Sequence, residues 1–238
     1  MSTPKYTYSF FRIKKDSQIA LSAQKYKQLR LLALSIAPGS FSSTYQLEST
    51  LTDSEWTTRL AASGSETFIC AATPLEDNNN NNNNDTSHSP ALEESSIWVG
   101  QLTLRGPLSQ EDFILPDESG QKNPPEHGGK ELWQMLSLFT LPAHRGRGLG
   151  KKLCQEALDY LSFSYRGDPR EFWVRLMVKP ENHATVRLYR NLGFEVCGRC
   201  TLAEALIANG DKDLLPDDIS GEKYSARSGL IMIFTANP

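Results

Sequence analysis

Apolar and polar positions along this chain change period several times, and the changes mark its elements. Tyr6 to Lys14 places Tyr6, Tyr8, Phe10, Phe11 and Ile13 in a β-rich run that reads as a first strand. Tyr26, Leu29, Leu32, Ala33 and Ile36 then recur at helical spacing until Pro38-Gly39 ends the stripe. Thr52-Asp53-Ser54-Glu55 is a capping box opening a helix that carries Trp56 and Leu60. Two strands are expected at Thr67 to Ala72 and Ile97 to Leu104, and a central strand at Glu131 to Leu141, stopped by Pro142. From Leu149 to Tyr165 the pattern predicts an amphipathic helix. Leu149, Leu153, Ala157 and Leu161 share one face, with Lys151, Lys152, Gln155, Glu156 and Asp159 on the other. A buried strand, Phe172 to Val178, a short helix opened by Asn182, and strands at Glu195 to Thr201 and Gly229 to Phe234 complete the order.

Polar stretches interrupt this order. Pro74 to Ser96 holds seven consecutive asparagines, Asn78 to Asn84, among acids and serines. Such a tract has nothing to bury, so residues 75–95 are expected to be a disordered hairpin insertion. Residues 110–130, with Pro116, Gly120, Pro124, Pro125, Gly128 and Gly129, read as a long loop, and Asn209 to Ser225 as a polar insertion. The order β-α-α-β-β-β-α-β-α-β-β predicts a mixed α+β fold. Its length, 238 residues with 39% hydrophobic side chains, suits a single domain over 1–238.

The candidate chemistry lies at Arg145-Gly146-Arg147-Gly148-Leu149-Gly150, between the central strand and the amphipathic helix. Glycines at a strand-to-helix turn let the backbone approach a ligand. The first helical N–H groups and the positive helix end together form a phosphate-binding site. Two nucleotide-binding patterns fail on single residues. A Rossmann fingerprint needs Gly where Lys151 stands, and a Walker loop needs Gly where Arg145 stands.

Read as Arg145-x-x-Gly148-x-Gly150, the turn resembles the pyrophosphate loop of the GCN5-related N-acetyltransferases. A second segment agrees in order and spacing. Asn182, Tyr189 seven residues on, then Gly193-Phe194, resembles the later signature of that family, with Thr185 where members usually carry Ala, and Ala184 beside it. On their own physics, Asn182 is also a good N-cap and Gly193 a helix-ending residue. The resemblance implies the acetyltransferase fold, a central mixed, mostly antiparallel sheet flanked by helices, here with two polar loop insertions.

The resemblance also implies acetyl-coenzyme A as cosubstrate and an unidentified primary amine as acceptor. Expected cofactor-binding residues are Leu138, Phe139 and Thr140 on the central strand, Arg145, Gly146, Arg147, Gly148, Leu149, Gly150 and Lys151 at the loop, and Asn182, Thr185 and Tyr189. The strand backbone is expected to pair with the pantetheine arm and polarise the acyl carbonyl, and Tyr189 to stabilise or protonate the departing thiolate. A base must take the acceptor proton. Histone-acetylating relatives carry a Glu where Gln134 stands, and an amide cannot serve. Glu131 is the nearest carboxylate, on the opposite face of a regular strand, with Ser137 and His183 as further candidates. A non-catalytic coenzyme A-binding or regulatory protein is the alternative that Gln134 allows.

Composition narrows the remaining options. The net charge of −3 gives no electrostatic footprint for nucleic acid or an anionic membrane. Neither a membrane span nor a secretory signal is visible, and the four scattered cysteines suit a reducing compartment, so the cytoplasm, or the nucleus, is expected. Cys197-x-x-Cys200 lacks the second pair or histidine of a zinc site, so no metal is expected. The sequon Asn84-Asp85-Thr86 has no consequence without a secretory route. A monomer or a homodimer fits equally.

Overall fold

In the computed structural model, residues 5–75, 96–125, 130–164 and 171–236 are described, so most of the asparagine-rich tract lies outside them. Strand β1 (Tyr6–Arg12) leads into α1 (Ile19–Ile36), the short α2 (Tyr45–Glu48) and α3 (Asp53–Ala61). Then come β2 (Ser65–Pro74), β3 (Ile97–Arg105), the single turn α4 (Gln110–Phe113) and β4 (Glu131–Thr140). The rest is α5 (Leu149–Asp159), β5 (Phe172–Val178), α6 (His183–Arg190), β6 (Glu195–Cys200), α7 (Leu202–Asn209), α8 (Glu222–Ser225) and β7 (Gly229–Ala236).

The seven strands form one sheet in the order β1-β2-β3-β4-β5-β7-β6, antiparallel throughout except for the β4–β5 pair. This is the mixed, mostly antiparallel sheet flanked by helices that the family resemblance implies. Helix α5 buries Leu149, Leu153, Cys154, Ala157 and Leu158 against one face, together with Trp133, Met135, Val174 and Leu176 from the strands. Helices α1 and α3 cover the other face through Tyr26, Leu29, Trp56 and Leu60, packed on Ile69, Ala71, Trp98 and Phe139. The capping box of α3 closes as expected: the Glu55 side chain accepts from the Thr52 N–H at 2.7 Å.

Three segments depart from the expectation. The helix begun at Leu149 ends at Asp159 and continues as a wider turn, Tyr160–Ser164. The polar stretch 110–125 is structured: Ser109 caps α4, while Phe113, Leu115 and Gln121 are buried. Phe113 and Leu115 form a third apolar cluster with Leu132, Trp173, Ile231 and Ile233. After β6, a second capping box, Thr201 with Glu204, opens α7, which Gly210 ends in the left-handed conformation.

Candidate active site

The sheet parts at its centre. The parallel ladder between β4 and β5 runs only from Glu131↔Phe172 to Gln134↔Arg175, while β5 stays paired with β7 through Val178↔Leu230. Beyond Gln134, therefore, β4 presents one backbone edge without a strand partner. On its other edge the β3 register slips between Gln101↔Phe139 and Thr103↔Leu136, so Ser137 and Leu138 oppose the single residue Leu102. This is a β-bulge. Ser137 has φ 59°, a left-handed conformation found at no other non-glycine residue among those described. The extra residue inverts the alternation of side chains. Trp133 and Met135 face α5, but past the bulge Leu138 faces α5 and Phe139 faces α1.

At the α5 end of this gap lies the glycine turn. Gly146 and Gly148 both have φ 76°, and Gly148 is the left-handed N-cap of α5. A Cβ built on either would meet nothing within 4 Å, so their backbone faces open space. The first helical bond is Lys152 N–H to the Gly148 carbonyl at 3.0 Å. The N–H groups of residues 146 to 151 donate to no backbone carbonyl among the described residues. Six donors at the positive end of an eleven-residue helix make an anion cradle. Arg145 donates from Nε to the Thr140 carbonyl at 3.0 Å and stacks on Phe139, which fixes the strand end to the turn. Beneath it His144 is buried, hydrogen-bonded to the Tyr8 hydroxyl at 3.0 Å. Burial, then the charge of Arg147, lowers its pKa, so it stays neutral.

Helix α6 flanks the gap on the same side. The Asn182 side chain caps it by accepting from the Thr185 N–H at 3.4 Å. Tyr189 is 6% exposed and packs on Phe194, with ring centroids 5.6 Å apart. Burial, then the neighbouring Cys154, raises its pKa well above the ordinary phenol value, so the hydroxyl keeps its proton as a donor. It makes no hydrogen bond among the described residues. The buried thiols of Cys70 and Cys154 are pushed up to about 12, and Cys200 to about 11, which rules them out as thiolate nucleophiles near neutral pH.

The opposite face of the gap is polar. Arg30 and Glu48, both buried, form a bidentate pair with contacts of 2.6, 3.0 and 3.2 Å. Arg59 joins Glu48 at 3.4 Å and reaches Asp211 at 3.5 Å. Burial alone would raise the Glu48 carboxyl, but its bond to Arg30 and the charges of Arg30 and Arg59 hold it below its ordinary value. Asp211 has weaker company, and burial wins, raising its pKa. Asn209 bridges Ser42 and Gln134 at 3.3 and 3.1 Å. Gln134, fully buried, also accepts from Arg175 Nε at 2.7 Å, so both ends of its amide are engaged.

The structure brings together Leu138, Phe139, Thr140, the turn from Arg145 to Lys151, Asn182, Thr185 and Tyr189 around one gap. It does not bring Glu131 there. Glu131 starts β4 beside Phe172, bonded to the Trp133 indole at 3.3 Å, six residues and about 20 Å of strand from the bulge. His183 is exposed on the first turn of α6. Ser137 lies at the bulge with its hydroxyl bonded to Arg30. Sequence reasoning missed Arg30, Glu48, Arg59 and Asp211. Arg30 lies four residues from Tyr26, on the buried stripe of α1, and a charge there was a readable sign of a paired interior. Glu48 and Asp211 meet it only through tertiary folding. Among the described residues no cluster of ligating side chains could hold a metal, and no helix is long and apolar enough to cross a membrane.

A parted parallel strand pair, a bulged central strand and a glycine turn at a helix start together define an acetyltransferase-type fold. The chain belongs to the acetyltransferase (GNAT) family: the family model matches residues 65–194, more than half of the chain. Over 67 residues it is 44% identical to a mycothiol acetyltransferase of Mycolicibacterium gilvum. The matched segment covers 28% of this chain and only 22% of that protein. Arabidopsis thaliana NAA60, solved with a bisubstrate analogue, is 15% identical, with coverage of 97% of this chain and 100% of that one and a TM-score of 0.53. A Sinorhizobium meliloti phosphinothricin acetyltransferase with bound AcCoA is 13% identical, with coverage of 96% and 88% and a TM-score of 0.53.

Proposed function

We propose that this protein transfers the acetyl group of acetyl-coenzyme A to a primary amine of a small molecule, peptide or protein, directly within a ternary complex. The observation that carries this reading is the meeting of two unpaired donor sets at one gap: the N–H groups of residues 146 to 151 and the open edge of β4 past Gln134. A pyrophosphate joined to an extended amide-bearing arm needs both. The residues fit such a group, since Gly146 and Gly148 leave room for it and the hydroxyl of Tyr189, on a ring otherwise buried, has no protein partner among the described residues. In support, Arabidopsis NAA60 of similar fold was also solved with acetyl-CoA.

When bound, the cosubstrate supplies an activated acetyl thioester. Residues 146 to 151 hold its phosphates, with Arg145, Arg147 and Lys151 adding positive charge. The backbone of Leu138 to Thr140 pairs with the arm as a strand would and polarises the acyl carbonyl. Asn182 and Thr185 set the start of α6, and Tyr189 hydrogen-bonds the leaving sulfur with a proton that burial keeps in place. The acceptor arrives from the α1–α2 side. There Asp211, raised by burial and the least tied carboxylate of that cluster, takes the amine proton; Glu48 is locked by two arginines, and Glu131 is too distant.

A panel of primary amines with acetyl-coenzyme A, read as release of free thiol, tests the reading. Turnover of an acceptor is expected. An amide at Gln134, engaged with Asn209 and Arg175 and unable to act as a base, favours the second reading, a non-catalytic coenzyme A-binding protein. Tight binding without turnover of any amine would establish that alternative. Absence of any binding at millimolar acetyl-coenzyme A would refute both.

A further inference from the structure

Just past the point where β4 parts from β5, β4 carries an extra residue, and that residue is held in a backbone conformation it does not favour. At φ 59° a side chain with a Cβ is strained where glycine is not. Serine has no intrinsic reason to be there, so something outside the strand must hold it. Two groups do: Gln101 Nε2 donates to the Ser137 carbonyl at 3.4 Å, and Arg30 Nη1 donates to the Ser137 hydroxyl at 3.2 Å.

Arg30 is unusually well fixed for that task. Its Nε and Nη2 are committed to Glu48, both residues are buried, and the guanidinium stacks on Phe41 at 4.6 Å. That leaves Nη1 to reach the bulge. Phe41 in turn packs on Phe139, with ring centroids 6.0 Å apart. One rigid unit therefore joins α1, the segment after it and the strand beyond the bulge.

We infer that Arg30 is the positioning residue of the gap: by holding the Ser137 hydroxyl it fixes the bulge, and so sets the direction of the unpaired β4 edge that receives the pantetheine arm. The inference rests on the acetyl-coenzyme A reading above. It adds that a residue of α1, distant from the glycine turn in sequence and contributing no contact to the phosphates, sets cosubstrate affinity.

The test uses the full chain and acetyl-coenzyme A, with calorimetric affinity and thermal melts read side by side. Ser137→Ala removes the tether and keeps the strained Cβ, so the edge should relax and the dissociation constant should rise about 5- to 30-fold. Ser137→Gly also removes the tether, but glycine takes the left-handed conformation without penalty, so its affinity should stay within about threefold of wild type. Glu48→Gln, which loosens Arg30 and leaves Ser137 itself unaltered, should weaken binding in the same direction as Ser137→Ala. Wild-type affinity in Ser137→Ala, or equal weakening in Ser137→Gly, would overturn the inference even if melting temperatures fall. Were Ser137→Ala not to fold, unchanged affinity in Glu48→Gln would overturn it instead. Failure of the wild-type protein to bind acetyl-coenzyme A removes the functional reading itself, a different result from binding that ignores Ser137.

Discussion

Replacing Tyr189 by Phe removes one oxygen from the wall of the gap and leaves every packing contact of the ring in place. The residue is 6% exposed, and its ring rests on Phe194 within the principal core. Truncation to Ala would therefore cost about 3–5 kcal/mol in lost burial and cavity, and would say nothing about chemistry. Phe avoids that. Because the hydroxyl makes no hydrogen bond among the described residues, its removal leaves no orphaned partner, and stability should change by less than about 1 kcal/mol. For a chain of this size that is a melting shift within about 2–4 °C. Cosubstrate affinity should also hold, since the phosphates are gripped by the glycine turn. Turnover should fall by about 10²–10⁴, the range for a positioned proton donor. The assay is steady-state thiol release with the acceptor found in the amine screen, beside a melt of the same preparation. Full activity in Tyr189→Phe would refute the donor assignment. A large melting loss that tracks the activity loss would show instead that the hydroxyl supports the fold.

Other consequences are equally concrete. Gly148→Val should abolish the melting shift given by acetyl-coenzyme A while leaving a folded protein: a Cβ there meets no protein atom but is strained at φ 76° and occupies the space over the donors. An unchanged shift would show the turn to be structural. Asp211→Asn should cut turnover by at least about 10²-fold with cosubstrate affinity kept. The acid limb of kcat/KM, which burial of Asp211 moves up from the ordinary aspartate value, should vanish with it, and a surviving limb would assign the base elsewhere. Glu48→Gln should cost about 3 kcal/mol, because it leaves Arg30 buried without its charge partner. The lowered Glu48 pKa means its contribution is full above the unfolded value of about 4.5 and is lost as pH falls through the folded one. Acid unfolding measured for both proteins should therefore converge below that window.

Much of the architecture was legible because hydrophobic period reports burial directly. Phe172 to Val178 is a strand with the expected bounds, since a short run that is apolar but for Arg175 and is bounded by polar residues has few other uses. The glycine turn was legible for a different reason: glycine is chosen where backbone must take φ near 76°, and the structure shows that need at Gly146 and Gly148. The bulge was not legible. Ser137 sits in Leu136-Ser137-Leu138, an ordinary alternating pattern, and serine carries no mark of the left-handed region. Helix α7 had its signal in plain sight, Thr201 and Glu204 as a capping box ahead of Leu206, in a stretch read only as the end of a strand before a polar insertion. Asp211 could not be found by spacing, because its neighbours Arg59 and Ser42 lie more than 150 residues earlier.

The stretch between β3 and β4 looks dispensable from its prolines and glycines, yet it holds the charge at the middle of the sheet. Arg175 is fully buried and faces no carboxylate among the described residues. Its guanidinium is held by the Phe113 carbonyl, the Gln121 side chain at 3.0 Å and Gln134, and Nη2 has no protein partner among them. Burial, with the charge of Arg105 adding to it, brings its pKa down to about 10, still protonated at neutral pH. Two of those three supports come from the stretch 113–121. Shortening that connection to a tight turn would strand a cation in the interior, a cost no loop-length argument anticipates. For anyone trimming this protein to a minimal catalytic unit, the boundary of what can be removed is therefore set by a hydrogen-bond donor on β5, not by the appearance of the connection itself.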